Sequence, residues 1–264
     1  MTRFIRFTSD EKLPSTTRDP HPEIRYGVVE GGAVFETAGP FREDRTGASF
    51  GLTKVRLLPP CSPTKIVCVG KNYADHAKEM GSEPPSEPII FLKPPSSLRA
   101  HQETIIYPKI SQLVSFEAEL GVVIGKRAKH VAEADAAGVV FGYTCVNDVT
   151  ARDLQRKDGQ WTRGKGFDTF CPVGPWIVGR DDVEFGALRV KCFVNGETKQ
   201  DAPVTDMLFS VPRVIAYVTE FLTLEPGDII ATGTPPGVGP IQVGDEVQVL
   251  IEGVGTLENT VAAG

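Results

Sequence analysis

The distribution of apolar residues along the chain indicates many short β-strands. Short apolar or alternating runs recur through most of the sequence, and glycine or proline bounds most of them. Strands are predicted in the segments PIIFLK, ETIIYP, SFEAELGVVIG, GYTCVND, GPWIV, LRVKCFVNGE, DIIATGT and DEVQVLIEGVGTLENTV. Many strands with few helices are typical of a mixed, largely antiparallel β-roll or β-sandwich that carries helices at its margin.

Helices are predicted at only a few places, which makes the expected fold class mainly β. A short helix follows the apolar run 66–69, with Asn72 as its N-cap and Gly81 at its end. Further helices are predicted over residues 132–138, after Asp148, and near residues 211–222.

The N-terminal part of the chain has a pattern of its own. The segment IRYGVVEGGAVFET predicts two strands around Gly31 and Gly32, a dipeptide that favours the tight turn of a β-hairpin. The proline-containing segment LLPPCSP then marks an exit from this region. We therefore predict a small β-rich N-terminal domain over residues 1–62 and a larger domain over residues 63–264.

Charge and composition exclude several classes of protein. The net charge is −6 at pH 7 and the basic residues are scattered, which argues against a nucleic-acid partner. No apolar run approaches the ~20 residues of a membrane span, and the N-terminus MTRFIRFTSDEK lacks the apolar core of a signal peptide. We therefore expect a cytoplasmic protein with no membrane partner. The five cysteines include no C-x-x-C pair, which favours buried free thiols over disulfides or structural zinc.

Two glutamates, Glu117 and Glu119, interrupt an otherwise apolar predicted strand. Side chains alternate along a strand, so both carboxylates project from one face and repel each other unless a cation lies between them. Asp148, at the end of a second predicted strand, supplies a third acid. Three oxygen ligands without a histidine or thiolate pair are typical of a Mg²⁺ or Mn²⁺ site. A solvated acidic strand face is the alternative that the spacing leaves open.

The chain resembles the fumarylacetoacetate hydrolase family over residues 65–262. The resemblance is carried by motifs in the family's order: VGKNYADHAKEM, FLKPPSSL, SFEAELGVVIG, GYTCVNDVTARDLQ, QWTRGKGFDTFCPVGPW and ATGTPPGVG. It implies that residues 63–264 form a catalytic domain with the fold of that family's C-terminal domain. It also implies that Glu117, Glu119 and Asp148 bind Mg²⁺ or Mn²⁺, and that the protein is a homodimer.

The resemblance further implies a small-molecule substrate, a 2-oxo acid with a 4-oxo or carboxylate group. The first expectation is C–C bond hydrolysis of the acylpyruvate type, or decarboxylation of the oxaloacetate type, through a metal-bound enolate. The alternatives within the family are a 2-hydroxyhepta-2,4-diene-1,7-dioate isomerase or tautomerase and a 2,4-diketo-3-deoxy sugar acid hydrolase. The alternatives from other classes are a non-catalytic, metal-dependent binder of dicarboxylates and a β-rich assembly protein whose acids are merely solvated.

Three residues are expected to act in catalysis. His76 and Glu79 lie at i and i+3 of the predicted short helix, so they share a face and Glu79 can orient the imidazole as it takes a proton from water. The resemblance assigns this same pair to a dyad on a lid. Lys165 lies between two glycines and is the expected cation for a carboxylate or enolate oxygen of the substrate.

Four further residues are expected to bind the substrate. Arg152 and Gln155 follow Asp148 on one face of the predicted helix, where they can contact substrate oxygens. Lys93 is expected either to do the same or to support the site from behind. The resemblance implies that the Thr234 hydroxyl contacts the substrate carboxylate.

Overall fold

The computed structural model of the protein describes residues 1–9, 23–79 and 81–264, so part of the predicted N-terminal domain lies outside the described residues. The described chain is mainly β, and its sheets are mixed and largely antiparallel, as predicted. The first part of the chain contributes strands β1 (Arg3–Ser9), β2 (Arg25–Glu30), β3 (Ala33–Thr37), β4 (Arg45–Gly51) and β5 (Val55–Leu58).

The rest of the chain contributes the remaining strands and the helices. The strands are β6 (Ile66–Gly70), β7 (Ile89–Lys93), β8 (Leu98–Arg99), β9 (Ile105–Tyr107), β10 (Val114–Phe116), β11 (Ala118–Ile124), β12 (Val140–Asn147), β13 (Thr150–Ala151), β14 (Cys171–Gly179), β15 (Arg189–Val194), β16 (Glu197–Pro203), β17 (Ile229–Ala231), β18 (Gly239–Pro240), β19 (Glu246–Ile251) and β20 (Gly255–Ala263). The α-helices of the described residues are α1 (Ala74–Glu79), α2 (Arg152–Asp158), α3 (Thr162–Lys165) and α4 (Val211–Phe221). Single turns of 3₁₀ helix occur at Leu52–Lys54, Pro95–Ser97, Arg180–Asp182, Phe185–Ala187 and Val204–Asp206, and a longer one at Glu133–Val139.

The largest sheet has 12 strands, and its main path runs β4-β3-β2-β1-β14-β12-β11-β17-β6-β7. Strand β1 pairs antiparallel with β14, with Arg3 opposite Val178, so strands from both parts of the chain share this sheet. Every residue of β11 is buried, which suits a strand covered on both faces. The central pair β11 and β12 therefore forms the rigid base from which the acidic residues project.

A second sheet, in the order β16-β15-β19-β20-β9, packs against the first. Burial alternates along β15, where Val190, Cys192 and Val194 face inward, so one face of this sheet is apolar. Strands β15, β19 and β20 cover β11, β12 and β14. This arrangement is the predicted sandwich, with its core between the two sheets.

Two local predictions in these elements are confirmed. Gly31 and Gly32 join β2 to β3 with φ of 54° and 81°, as a tight hairpin turn requires. Helix α4 begins at Val211, where the Ser210 side chain accepts a hydrogen bond from the Arg213 N–H. Its buried residues recur at helical spacing, so its apolar stripe faces the core of its own chain.

The acidic strand differs from the prediction of one continuous strand. The chain leaves β10 at Phe116 and enters β11 at Ala118, so the two strands are separated at Glu117. The physical reason is a change of partners, because β10 pairs with β13 and β18 whereas β11 pairs with β12 and β17. The Glu117 N–H instead donates to Asn147 Oδ1, at 3.1 Å.

Two further expectations concern thiols and membranes. All five cysteines are buried and free, as the sequence predicts. Within the described ranges, no helix combines the length and apolar character that crossing a bilayer would require.

Candidate metal centre and active site

Three buried carboxylates converge where the chain passes from β10, in the small sheet β13-β10-β18, to β11 in the 12-stranded sheet. Glu117 lies at the junction of β10 and β11, Glu119 is the second residue of β11, and Asp148 follows β12. One carboxylate oxygen from each lies within 4.8 Å of the others. Pairing of Ala118 with Asn147 in the β11–β12 ladder brings these segments of chain together. The solvated strand face considered from the spacing is wrong, because all three residues are at most 5% exposed.

Three cationic side chains compensate most of this negative charge. Lys165 Nζ donates to Asp148 Oδ2 at 2.6 Å, to Glu117 Oε2 at 3.0 Å and to Thr150 Oγ1 at 2.8 Å. Lys93 Nζ lies 2.6 Å from Asp148 Oδ1 and is fully buried behind the carboxylates. Arg152 Nη2 forms an ion pair with Glu117 Oε1 at 2.7 Å, and this nitrogen is buried.

Glu119 has the least compensation of the three acids. Its Oε2 accepts one hydrogen bond, from the Gly233 N–H at 2.9 Å. Burial, then the charges of Asp148 and Glu117, raise the pKa of Glu119 well above its ordinary value. Burial also opposes charge on Glu117, but Lys165 and Arg152 outweigh it and lower the pKa of that carboxyl to about 2.

This donor set fits a hard divalent cation. The oxygens are close and buried, and burial together with the neighbouring carboxylates raises the pKa of Glu119, so its charged form lacks a favourable partner that a cation would supply. Carboxylate oxygens are the ligands that Mg²⁺ and Mn²⁺ prefer. Glu117, Glu119 and Asp148 are therefore the residues that would hold the ion.

The histidine and glutamate of α1 form a pair beside this cluster. His76 Nδ1 lies 3.3 Å from Glu79 Oε2, and a carboxylate can only accept, so Nδ1 carries the proton and Nε2 keeps its lone pair. Burial lowers the pKa of His76 below its ordinary value of 6.5. Both Glu79 oxygens also accept from the Gly237 N–H, at 3.2 Å, which ties α1 to the loop after β17. His76 is thus held as a neutral base at neutral pH.

A cavity of about 180 Å³ brings most of the predicted residues together. Seven of them line it: His76, Glu117, Glu119, Arg152, Gln155, Lys165 and Thr234. The other three do not line the cavity but contact residues of the site. Glu79 contacts His76, Asp148 contacts Lys165, and Lys93 contacts Asp148. Other walls are contributed by Val69, Gly70, Lys71, Phe91, Arg156 and Trp161.

An aromatic side of the cavity depends on a glycine. Trp161 stacks edge-on against Phe91, with ring centroids 5.1 Å apart. A Cβ atom on Gly70 would lie 2.7 Å from the Trp161 ring, so only glycine allows this approach. Lys165 Nζ lies 4.9 Å from the Phe91 ring centroid, so the same aromatic wall contacts the cation of the carboxylate cluster.

Two buried amides that organise the site were missed or misassigned from the sequence. Asn72 does not cap α1 as predicted, because its side chain donates to the Thr232 and Phe209 carbonyls and accepts from the Phe209 N–H. Gln200 on β16 links the acidic strand to the loop that carries Thr234. Neither residue has a local sequence signal, because each bonds to segments far away in the chain.

Comparison with known protein families identifies the family to which the chain belongs. Residues 65–262 match the family described as Fumarylacetoacetate (FAA) hydrolase C-terminal, and residues 2–60 match Rv2993c-like, N-terminal. The chain therefore belongs to the fumarylacetoacetate hydrolase family, as its motifs indicate.

Individual relatives are named as enzymes of several reaction types. The chain is 47% identical over 215 residues to the mitochondrial oxaloacetate tautomerase FAHD2A of Bos taurus, covering 78% of this chain and 68% of the bovine protein. It is similar to the crystal structure of 2-hydroxyhepta-2,4-diene-1,7-dioate isomerase from Mycobacterium marinum, with 42% identity, a TM-score of 0.88 and coverage of 100% and 99%. It is also similar to maleylpyruvate hydrolase from Sphingobium sp. SYK-6 in complex with manganese (II) ion and pyruvate, with 32% identity, a TM-score of 0.80 and coverage of 99% of each chain.

Proposed function

We propose that this protein is a Mg²⁺- or Mn²⁺-dependent enzyme that interconverts the keto and enol forms of a 2-oxo acid bearing a second carboxylate. The observation that carries the proposal is the neutral, buried His76 in the same cavity as the three carboxylates. A tautomerase and an isomerase among the relatives support the choice of reaction. The expectation of hydrolysis or decarboxylation thus becomes the second candidate.

The metal ligands are Glu117, Glu119 and Asp148. When bound, the divalent ion supplies a Lewis acid for the carboxylate and the 2-oxo oxygen of the substrate. The relative that contains manganese and pyruvate supports this assignment. Lys93, behind Asp148, keeps that ligand oriented through its 2.6 Å contact.

His76 is the residue that moves the proton. Its Nε2 takes the proton from the carbon beside the 2-oxo group, the C–H electrons form the C=C bond, and the 2-oxo oxygen takes the charge until it is protonated. Glu79 accepts from Nδ1 and so holds the tautomer in which Nε2 is the base. Arg152 lines the cavity and supplies a positive charge for a substrate oxygen, and Gln155 orients Arg152 by accepting from Nη1 at 3.3 Å.

The cavity also has cations suited to a second carboxylate. Lys71 and Arg156 line it, and within the described part of the chain neither forms an ion pair. Their charges are therefore uncommitted, unlike those of Lys93 and Lys165. This supports a dicarboxylic 2-oxo acid over a substrate with an apolar tail.

C–C bond hydrolysis is the second candidate, because the His76–Glu79 pair is also suited to activating water. The same lone pair on His76 Nε2 can take a proton from water, whose oxygen would then attack the carbonyl carbon; the adjacent C–C bond breaks, its electrons pass to the departing fragment as an enolate, and the proton held by His76 returns to that fragment. The similarity to a maleylpyruvate hydrolase supports this alternative. Both reactions use the same residues, so only product analysis separates them.

The test follows enol oxaloacetate by ultraviolet absorbance with Mg²⁺, with Mn²⁺ and with EDTA, while pyruvate is measured in the same samples. We expect metal-dependent acceleration of enol loss with the total oxaloacetate conserved. His76→Asn should abolish the acceleration, whereas His130→Asn, at an exposed position, should retain it.

Other outcomes of this test identify the alternatives. Pyruvate formed at the enzymatic rate would replace tautomerisation with decarboxylation. Metal-dependent cleavage of an acylpyruvate or maleylpyruvate without enol acceleration would establish the hydrolase. Absence of turnover on all of these, with metal binding retained, would make the protein a binder.

The oligomeric state and the cellular location of the protein stay predictions. A homodimer is expected, and light scattering in solution measures it directly. The cytoplasmic location is a prediction that cell fractionation checks.

A further inference from the structure

Two cavities of the protein meet at one pair of aromatic side chains. The first is the active-site cavity of about 180 Å³, and the second is a groove of about 770 Å³ along the edge strand β7, called here the outer groove. Among the described residues, Phe91 and Trp161 are the two that line both. These two rings therefore form a partition between the site and the outer groove.

The outer groove has a different chemistry from the active-site cavity. Its apolar lining comes from β7 and from the prolines that follow it: Ile89, Ile90, Leu92, Pro94 and Pro95. Both lysines of its described lining are committed, because Lys65 pairs with Asp228 and Lys93 pairs with Asp148. An alkyl chain therefore suits the outer groove, whereas a second carboxylate does not.

The Trp161 ring lies directly against the wall of the active-site cavity. A Cβ atom on Gly70, which lines that cavity, would lie 2.7 Å and 2.9 Å from two carbons of the six-membered ring. The edge-on contact with Phe91, at 5.1 Å between centroids, closes the partition on the other side of the ring.

The backbone that carries Trp161 is closely packed as well. The Trp161 carbonyl accepts from the Lys165 N–H at 2.9 Å, which closes the turn of α3. A Cβ atom on Gly164 would lie 2.9 Å from Gln155 Cα, so α3 packs against the backbone of α2. The position of the ring is therefore set by the packing of these two helices and by Gly70.

We propose that Trp161 is a specificity-determining residue that limits the length of the substrate by closing the active-site cavity towards the outer groove. The inference rests on the proposed function, in which Lys71 and Arg156 receive the second carboxylate. Both cations line the active-site cavity and neither lines the outer groove, so a short dicarboxylic 2-oxo acid ends before the partition. A longer alkyl chain has to pass Trp161 to reach apolar lining.

The test measures binding of oxamate and of its N-ethyl, N-butyl and N-hexyl derivatives to the Mg²⁺-loaded protein by calorimetry. All four probes carry the same carboxylate and adjacent carbonyl, and only the alkyl chain grows. In the wild-type protein the affinity should not rise with chain length. In Trp161→Ala it should rise by up to about fourfold for each methylene that leaves water. The ratio of N-hexyloxamate to oxamate affinity should thus increase by at least about tenfold.

Three further variants locate the effect. Trp161→Phe keeps a smaller ring and should give an intermediate ratio. Gln160→Ala is the matched control, because this exposed neighbour lines the outer groove alone, and it should leave the ratio unchanged. Leu92→Gln, added to Trp161→Ala, should lower the ratio by about threefold, because Leu92 lines the outer groove and its 45% exposure keeps the change outside the core.

Each contrary outcome overturns a defined statement. A wild-type affinity that already rises with chain length, or an unchanged ratio in folded Trp161→Ala, would overturn the inference alone. A gain that Leu92→Gln leaves intact would place the chain outside the outer groove and would also overturn it. If circular dichroism shows that Trp161→Ala does not fold, Trp161→Phe decides, and a wild-type ratio in that variant overturns the inference. Failure of the wild-type protein to bind oxamate with Mg²⁺ would overturn the proposed function and the inference with it.

Discussion

Lys165 Nζ lies 2.6 Å from Asp148 Oδ2, inside the cluster of carboxylates that would bind the metal. Burial opposes charge on this amine, but Asp148 and Glu117 outweigh it and raise the pKa of Lys165. A divalent ion would thus be held by the same carboxylates that bind this ammonium. Lys165 keeps the metal-free protein folded and at the same time competes with the ion.

Lys165→Met should separate these two effects. Removing the ammonium leaves Asp148 with Lys93 and Glu117 with Arg152 as their remaining cationic partners, so the free energy of unfolding in EDTA should fall by about 3 kcal/mol. The Mg²⁺ concentration needed for half-maximal stabilisation should fall as well, because no cation competes. Chemical denaturation across a Mg²⁺ series measures both, and Lys157→Met at an exposed position is the control. An unchanged Mg²⁺ midpoint would contradict the competition.

Two matched substitutions in the acidic segment should have opposite effects on the metal-free protein. Glu119→Gln removes a poorly compensated buried charge and should stabilise it by about 1 kcal/mol at pH 7. Glu117→Gln breaks contacts with Lys165 and Arg152 and should destabilise it by about 3 kcal/mol. Both should abolish the rise in melting temperature on adding Mg²⁺. Effects of the same sign in EDTA would refute the charge assignment.

The pH dependence of turnover should report the protonation state of His76. Burial lowers its pKa below 6.5, and the base acts when neutral, so kcat/KM should be flat above pH 6.5 and fall as the pH drops through the lowered pKa. The stability contributed by His76 follows the same direction, present above pH 6.5 and lost as the pH falls through the folded-state pKa.

Glu79→Gln provides the control for this profile. Glu79 raises the pKa of His76 through its hydrogen bond and its charge, so replacing it should move the acidic limb to lower pH while reducing kcat. A limb that moves to higher pH, or does not move, would remove Glu79 from the role of orienting His76.

A fourth prediction concerns a buried acid away from the cavity. Asp228 Oδ1 accepts from the Thr64 and Lys65 N–H groups, and Oδ2 accepts from the Glu225 N–H and Lys65 Nζ. Burial opposes charge on this carboxyl, but the bonds from Lys65, Glu225 and Thr64 outweigh it and lower its pKa. Its contribution to stability is therefore present above pH 3.8 and lost as the pH falls through the folded-state pKa.

Asp228→Asn places an amide NH₂ against two donors and should lower the free energy of unfolding by about 3 kcal/mol at pH 7. The response to Mg²⁺ should be retained. Asp181→Asn, with a side chain 92% exposed, is the control. Urea unfolding measures both variants, and equal stability of the two would contradict the role of Asp228.

The sequence predicts those parts of the structure that depend on local patterns. The Gly31–Gly32 turn, helix α4 and most strands follow from residue spacing and from residues with special backbone freedom. The convergence of Glu117, Glu119 and Asp148 follows from family motifs, and its burial from the structure alone. The break at Glu117 depends on strand partners distant in sequence, which no local pattern contains.

The positioning amides escaped prediction for the same reason. Gln200 lies in the polar segment ETKQDAP, which has the composition of an exposed edge strand, and its bond to Ala118 spans 82 positions. Lys93 similarly reaches Asp148 across 55 positions. Such contacts are defined only when the two sheets are packed together.

The pairing of β1 with β14 has a consequence for the tendency of the protein to aggregate. Strand β14 is the neighbour of β12, which leads into Asp148, and β1 pairs with its other edge at Ile177 and Val178. A shortened chain beginning near residue 65 would leave the hydrogen-bonding groups of β14 open to a strand of another molecule. We therefore expect the N-terminal strands to protect the sheet next to Asp148 from edge-to-edge aggregation.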